Sequence, residues 1–142
     1  MIDPLTLQRY SLFGGLLEEQ IQSIIPLMEQ ESYDPGDDII VEGQPNDKIR
    51  FIVEGRVVVV KENIILSEFG EGDAVGEMEV LEVMPSAATI KALTATRVLS
   101  ISNKALREVY KKDTKIFALM IMNLARELSR RLRRMNEKVI QN

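Results

Sequence analysis

Apolar and polar positions change rhythm twice along the chain. Up to about Ser32, Leu16, Leu17, Ile21, Ile24 and Ile25 recur at helical spacing, with Glu18, Glu19, Gln20 and Gln22 on the other side. That spacing predicts an amphipathic helix. Pro26 ends or kinks it, because proline lacks the N–H and crowds the preceding turn. Over 33–101 the apolar runs shorten to strand length, at 39–41, 49–53, 57–60, 64–66, 89–93 and 98–101. Between them lie Pro35-Gly36-Asp37, the stretch 42–47, Glu54-Gly55 and Gly70-Glu71-Gly72-Asp73. Short strands between such turns predict an all-β sandwich, barrel or jelly roll rather than a βαβ protein.

From Ser102 helical spacing returns. Ser102 is placed to cap a short helix through Tyr110, and Asp113 or Thr114 a longer one to about Val139. The long helix carries two stripes. Ala118, Ile121, Ala125, Leu128, Leu132, Met135 and Val139 alternate at three- and four-residue steps, a heptad seam. Phe117, Met120 and Leu124 form a second stripe beside it. The expectation is that one stripe docks on the β domain while the seam meets a second copy. The alternative is a helix packed wholly on its own domain. No repeat or linker interrupts the 142 residues, so the chain reads as one domain, with helices at 1–32, a β-roll at 33–101 and helices at 102–142.

Composition removes several chemistries. There is no cysteine and no histidine. Disulfides, cysteine nucleophiles, Ser-His-Asp triads and histidine-ligated metals are excluded. The net charge of −4 argues against nucleic acid as the main partner. Arg130, Arg131, Arg133 and Arg134 cluster near the C-terminus, but Glu127 and Glu137 stand four residues from Arg131 and Arg133, which reads as a solvated helix face. No apolar run reaches the ~20 residues of a membrane span, and the N-terminus lacks a signal-peptide pattern. A cytoplasmic location, without a membrane role, is the expectation.

One loop remains to be explained. Residues 76–89 read GEMEVLEVMPSAAT, with three carboxylates (Glu77, Glu79, Glu82), a proline turn and a tail of small residues. Its surroundings, YDPGDDIIVEGQPNDKIRFIVEGRVVVV and then FGEGDAVGEMEVLEVMPSAATIKAL, resemble the cyclic nucleotide-binding domain family of catabolite activator proteins and protein kinase A regulatory subunits. Gly36, Gly43, Gly55, Gly72 and Gly76 fall where that family has glycines. The resemblance implies an eight-stranded β-roll flanked by helices. It also implies that 76–89 is a phosphate-binding cassette. There, backbone N–H groups after the glycine face a cyclic phosphate, a glutamate holds the ribose 2′-hydroxyl, an arginine pairs with the phosphate, and small residues admit the backbone.

Carried onto this chain, Gly76 and Glu77 match the Gly-Glu start, followed by Met78. Pro85 matches the proline, and Ala87, Ala88 and Thr89 match the small tail. Ser86 stands in place of the arginine, and Glu79 in place of a small residue. Losing one member of a buried charge pair costs about 2–5 kcal/mol, or roughly 30-fold to several-thousand-fold in affinity. Arg50, Arg56 and Arg97 are the cations that could compensate. Asn123, Ser129 and Arg131 are the candidates for covering a base. The reading is a stand-alone, non-catalytic regulatory module with no cofactor or metal, whose binding of cAMP or cGMP is weakened or altered. It acts through a homodimer on the last helix or through a protein partner. A sensor that binds despite the lost arginine, and a purely structural dimerisation module, remain open. The chain stops at Asn142, so no DNA-reading helix-turn-helix is expected after it.

Overall fold

The computed structural model describes residues 2–141. The chain divides into two compact units: one of residues 26–108, and one joining residues up to 25 with those from 109 onward.

In the first unit, eight strands among the described residues form two antiparallel four-stranded sheets. One has the order β1 (Glu29–Tyr33), β8 (Thr96–Ser102), β3 (Lys48–Glu54), β6 (Ala74–Val75). The other has the order β2 (Asp38–Ile40), β7 (Thr89–Ala92), β4 (Val57–Lys61), β5 (Ile64–Phe69). Ile39, Ile40, Ile52, Val57, Val75, Ile90, Ala92 and Val98 form one buried cluster, with Tyr33, Val59 and Phe69 packed against it. Both sheets contribute to it, as a sandwich core requires. Glu62 and Asn63, at φ 52° and 64°, make the two-residue turn between β4 and β5, the left-handed pair that matches strand twist. The jelly-roll reading of the short strands and the implied eight-stranded roll therefore hold.

Two strands differ from the expectation. β1 starts at Glu29, ahead of the roll boundary expected at 33. Its sequence EQESY has no apolar alternation, because it lies at the edge of its sheet, paired only with β8. β6 has two residues and exists through its pairing of Arg50 with Val75 and Phe51 with Ala74.

The second unit contains α1 (Pro4–Gln8), α2 (Glu18–Ile24) and α5 (Thr114–Gln141). A 3-10 turn at Ile25–Leu27 follows α2, as Pro26 led one to expect. α4 (Asn103–Lys112) runs across the boundary between the units. Ser102 caps α4, its Oγ accepting from Ala105 N at 3.0 Å. Asp113 Oδ1 caps α5, accepting from Lys115 N and Ile116 N at 2.9 and 3.3 Å. Among the described residues of α5 the buried positions are Ile116, Met120, Asn123 and Leu124. Phe117, expected on that stripe, is half-buried instead and meets Tyr110 edge-on at 5.3 Å. Asn123 Nδ2 donates to Leu12 O and Gly14 O at 3.0 and 2.8 Å. No helix of the described residues is long and apolar enough to cross a membrane.

Candidate functional site

The 76–89 loop grows out of β6. Gly76 takes φ 85°, ψ 4°, a left-handed conformation that favours glycine. A Cβ there would lie 2.7 Å from both Asn46 Nδ2 and Lys48 O. The Asn46 side chain explains that crowding. Its Nδ2 donates to Gly76 O at 3.2 Å and to Lys48 O at 2.9 Å. Its Oδ1 accepts from Lys48 N at 3.2 Å and Arg50 Nη1 at 2.9 Å. One amide thus ties the start of the loop to β3.

α3 (Glu77–Glu82) follows, six residues long, less than two turns. Glu77 is 4% exposed and Val80 is buried, while Met78 is exposed. Val83 ends the helix at φ 57°, ψ 47°, left-handed for a β-branched residue, and is 82% exposed. Leu81, Val83 and Met84 together leave an apolar tip in solvent, with Glu82 between them.

Ser86 is turned inward, 5% exposed. Its Oγ lies 2.7 Å from Ala88 O, to which it donates, and 3.3 Å from Glu79 Oε1. Its backbone is pinned to the opposite turn: Gly43 N donates to Ser86 O at 2.8 Å and Ser86 N to Gln44 O at 3.0 Å. Glu42 N donates to Thr89 Oγ1 at 3.1 Å. Ala87 is exposed, and Ala88 and Thr89 are half-buried. The loop is therefore closed by its own hydrogen bonds, and the single Ser86 hydroxyl proton is engaged within it.

The three arginines that could replace the missing one are all held by carboxylates. Arg50, 9% exposed, donates from Nε to Glu31 Oε1 at 2.9 Å. Arg56 pairs with Glu68, and Arg97 Nε with Glu54 Oε2 at 2.7 Å. Glu31 also accepts from Tyr33 OH at 3.1 Å and lies 3.4 Å from Lys48 Nζ. Burial raises the Glu31 pKa, but Arg50, Lys48 and these hydrogen bonds outweigh it and hold the carboxyl below its ordinary 4.5.

The candidates on α5 have structural partners. Asn123 spends its amide on Leu12 and Gly14. Arg131 Nε lies 3.3 Å from Glu127 Oε1, with Arg130 and Arg134 on the same carboxylate at 2.9 and 3.7 Å. Ser129 is exposed. Along the seam Ile121 and Leu128 are half-buried, while Ala118 and Ala125 are exposed. Leu132, Met135 and Val139 are 59%, 62% and 75% exposed. Sequence reasoning named the loop and the seam but missed Asn46, Glu31 and Val83. Asn46 sat inside a turn signal, and nothing local marked its link to Gly76.

The family model for the cyclic nucleotide-binding domain matches residues 30–113. A cAMP-dependent protein kinase regulatory subunit of Yarrowia lipolytica is 28% identical over 98 residues, covering 69% of this chain and 26% of that protein. A CRP-like cAMP-activated global transcriptional regulator of Mycobacterium tuberculosis is 27% identical over 139 residues, 94% of this chain and 60% of that protein. The chain thus spans about a quarter of one curated relative and 60% of the other. A solved cyclic nucleotide-binding domain from Methylobacillus flagellatus superposes with a TM-score of 0.87 at 23% identity, over 97% of this chain and 80% of that one.

Proposed function

The chain belongs to the cyclic nucleotide-binding domain family, and we propose that it is a non-catalytic regulatory module whose binding of cAMP or cGMP is weakened and which acts as a homodimer through α5. The observation that carries this reading is Ser86. It stands where the family's cassette has an arginine, and its buried hydroxyl serves Ala88 O rather than an open site. α3, at six residues, adds little dipole to attract an anion. The exposed half of the seam, Leu132, Met135 and Val139, supports the dimer, because a run of apolar heptad positions in water favours association.

Calorimetry of the whole chain with cAMP and cGMP tests it. No binding tighter than roughly 100 μM is expected, from the loss of the charge pair. A low-micromolar dissociation constant would make the module an ordinary sensor and refute the weakened cassette.

A further inference from the structure

We propose that Glu31 and Arg50 are positioning residues for the 76–89 loop, acting on its first glycine through the side chain of Asn46. This rests on the reading above that the loop is the ligand site, and it adds what sets the conformation of that loop.

A continuous chain of contacts makes the connection. Arg50 Nε on β3 donates to Glu31 Oε1 on β1 at 2.9 Å. Arg50 Nη1 donates to Asn46 Oδ1 at 2.9 Å. Asn46 Nδ2 then donates to Gly76 O at 3.2 Å.

The direction of the amide is what Arg50 controls. A guanidinium only donates, so the Asn46 atom that faces it is the oxygen. Lys48 N donates to the same oxygen at 3.2 Å. The nitrogen is thereby turned toward two carbonyls, Lys48 O at 2.9 Å and Gly76 O. Two bonds accepted and two given exhaust the capacity of the amide. Turned over, it would set donor against donor and oxygen against oxygen.

Arg50 is fixed in its turn. It is 9% exposed, and its contact with Glu31 is charge-assisted. Glu31 also accepts from Tyr33 OH at 3.1 Å and lies 3.4 Å from Lys48 Nζ. Glu29 completes the cluster, 3.8 Å from the same Nζ.

The loop depends on this tether because its root is slight. β6 is held to β3 by the pairs Arg50–Val75 and Phe51–Ala74. Gly76 follows at once and makes the left-handed turn into α3. Peptide groups are planar, so a hydrogen bond on Gly76 O also orients the Glu77 N–H that opens the helix. Coupling of this kind is reciprocal: a ligand that turns the Gly76–Glu77 peptide acts back on Arg50 and Glu31.

Nuclear magnetic resonance of the unliganded whole chain tests the relay, because the Glu77 amide shares its peptide group with Gly76 O. Asn46→Asp keeps an acceptor for Arg50 and Lys48 N and replaces the donor to Gly76 with an oxygen. It is expected to shift the Glu77 amide resonance and leave that of Val59, in the other sheet, in place. Glu31→Ala is expected to shift Glu77 in the same direction and by less. In the Asn46→Asp background, Glu31→Ala should shift it no further. Equal shifts by Glu31→Ala in both backgrounds overturn the inference, because the effect then travels through the β3–β6 pairing. So does a Glu77 resonance that Glu31→Ala leaves unmoved in the otherwise unaltered chain. If Glu31→Ala does not fold, Glu31→Gln, which removes the charge and keeps an acceptor, is judged by the same two criteria. No ligand enters the measurement, so its failure is distinct from a failure of the weakened-cassette reading, which calorimetry decides.

Discussion

The side-chain amide of Asn46 donates to the carbonyl of Gly76 at 3.2 Å, across thirty positions of sequence, and fills the space that a side chain on Gly76 would need. Gly76→Ala meets two costs, a left-handed backbone and contacts of 2.7 Å with Asn46 Nδ2 and Lys48 O. A loss of about 2–4 kcal/mol is expected in urea unfolding. Gly36 has a similar φ of 89° with nothing within 4 Å of a Cβ. Gly36→Ala should therefore lose only about 1–2 kcal/mol, the backbone cost alone.

Val83 offers the opposite change. It is β-branched, left-handed and 82% exposed, so nothing buried is lost on replacing it. Val83→Asn substitutes a residue that tolerates this conformation. Stability should rise by about 0.5–1 kcal/mol, seen as a higher urea midpoint at unchanged slope.

Glu31 carries the acid sensitivity of the β1–β3 ion pair. Its carboxyl is held below the ordinary 4.5: burial raises it, and the Arg50 and Lys48 charges more than reverse that. A carboxylate depressed by folding contributes stability that is full above the unfolded value and is lost as pH falls through the lower folded value. Glu31→Gln leaves Arg50 without its counter-charge and should cost about 1–3 kcal/mol at neutral pH. That deficit should shrink as pH drops below 4.5. A deficit that is constant with pH would mean that the pair contributes only packing.

The α5 seam predicts association. Sedimentation should show a dimer that Leu132→Asp with Met135→Asp converts to monomer, with helical circular dichroism retained, because both side chains are exposed in the single chain. Leu128 is half-buried, so substituting it would confound dissociation with damage to the fold. A monomeric unaltered protein refutes the seam.

Local chemistry was legible wherever it acts over a few residues. Ser102 and Asp113 cap α4 and α5 as a hydroxyl and a carboxylate at helix starts should. The apolar runs became β2, β3, β4, β5, β7 and β8 with shifts of a few residues at their ends. β1 was hidden because an edge strand can be polar throughout, and β6 because two residues make no pattern. On α5 Met120 and Leu124 of the expected stripe are buried, but Ile116 is buried in place of Phe117, since neighbouring positions on a helix differ only by what they meet.

For the site, the sequence by itself determined which groups are present: a Gly-Glu start, three carboxylates, a proline, a serine in place of an arginine, and no cation from 76 to 89. Whether another arginine supplies the charge was decided only in three dimensions. Arg50, Arg56 and Arg97 are each bound to a carboxylate on an adjacent or nearby strand. Those pairings follow from strand order and register, which bring together residues 12 to 43 positions apart. Composition counts charges, but only the register of the sheets determines which of them are already neutralised.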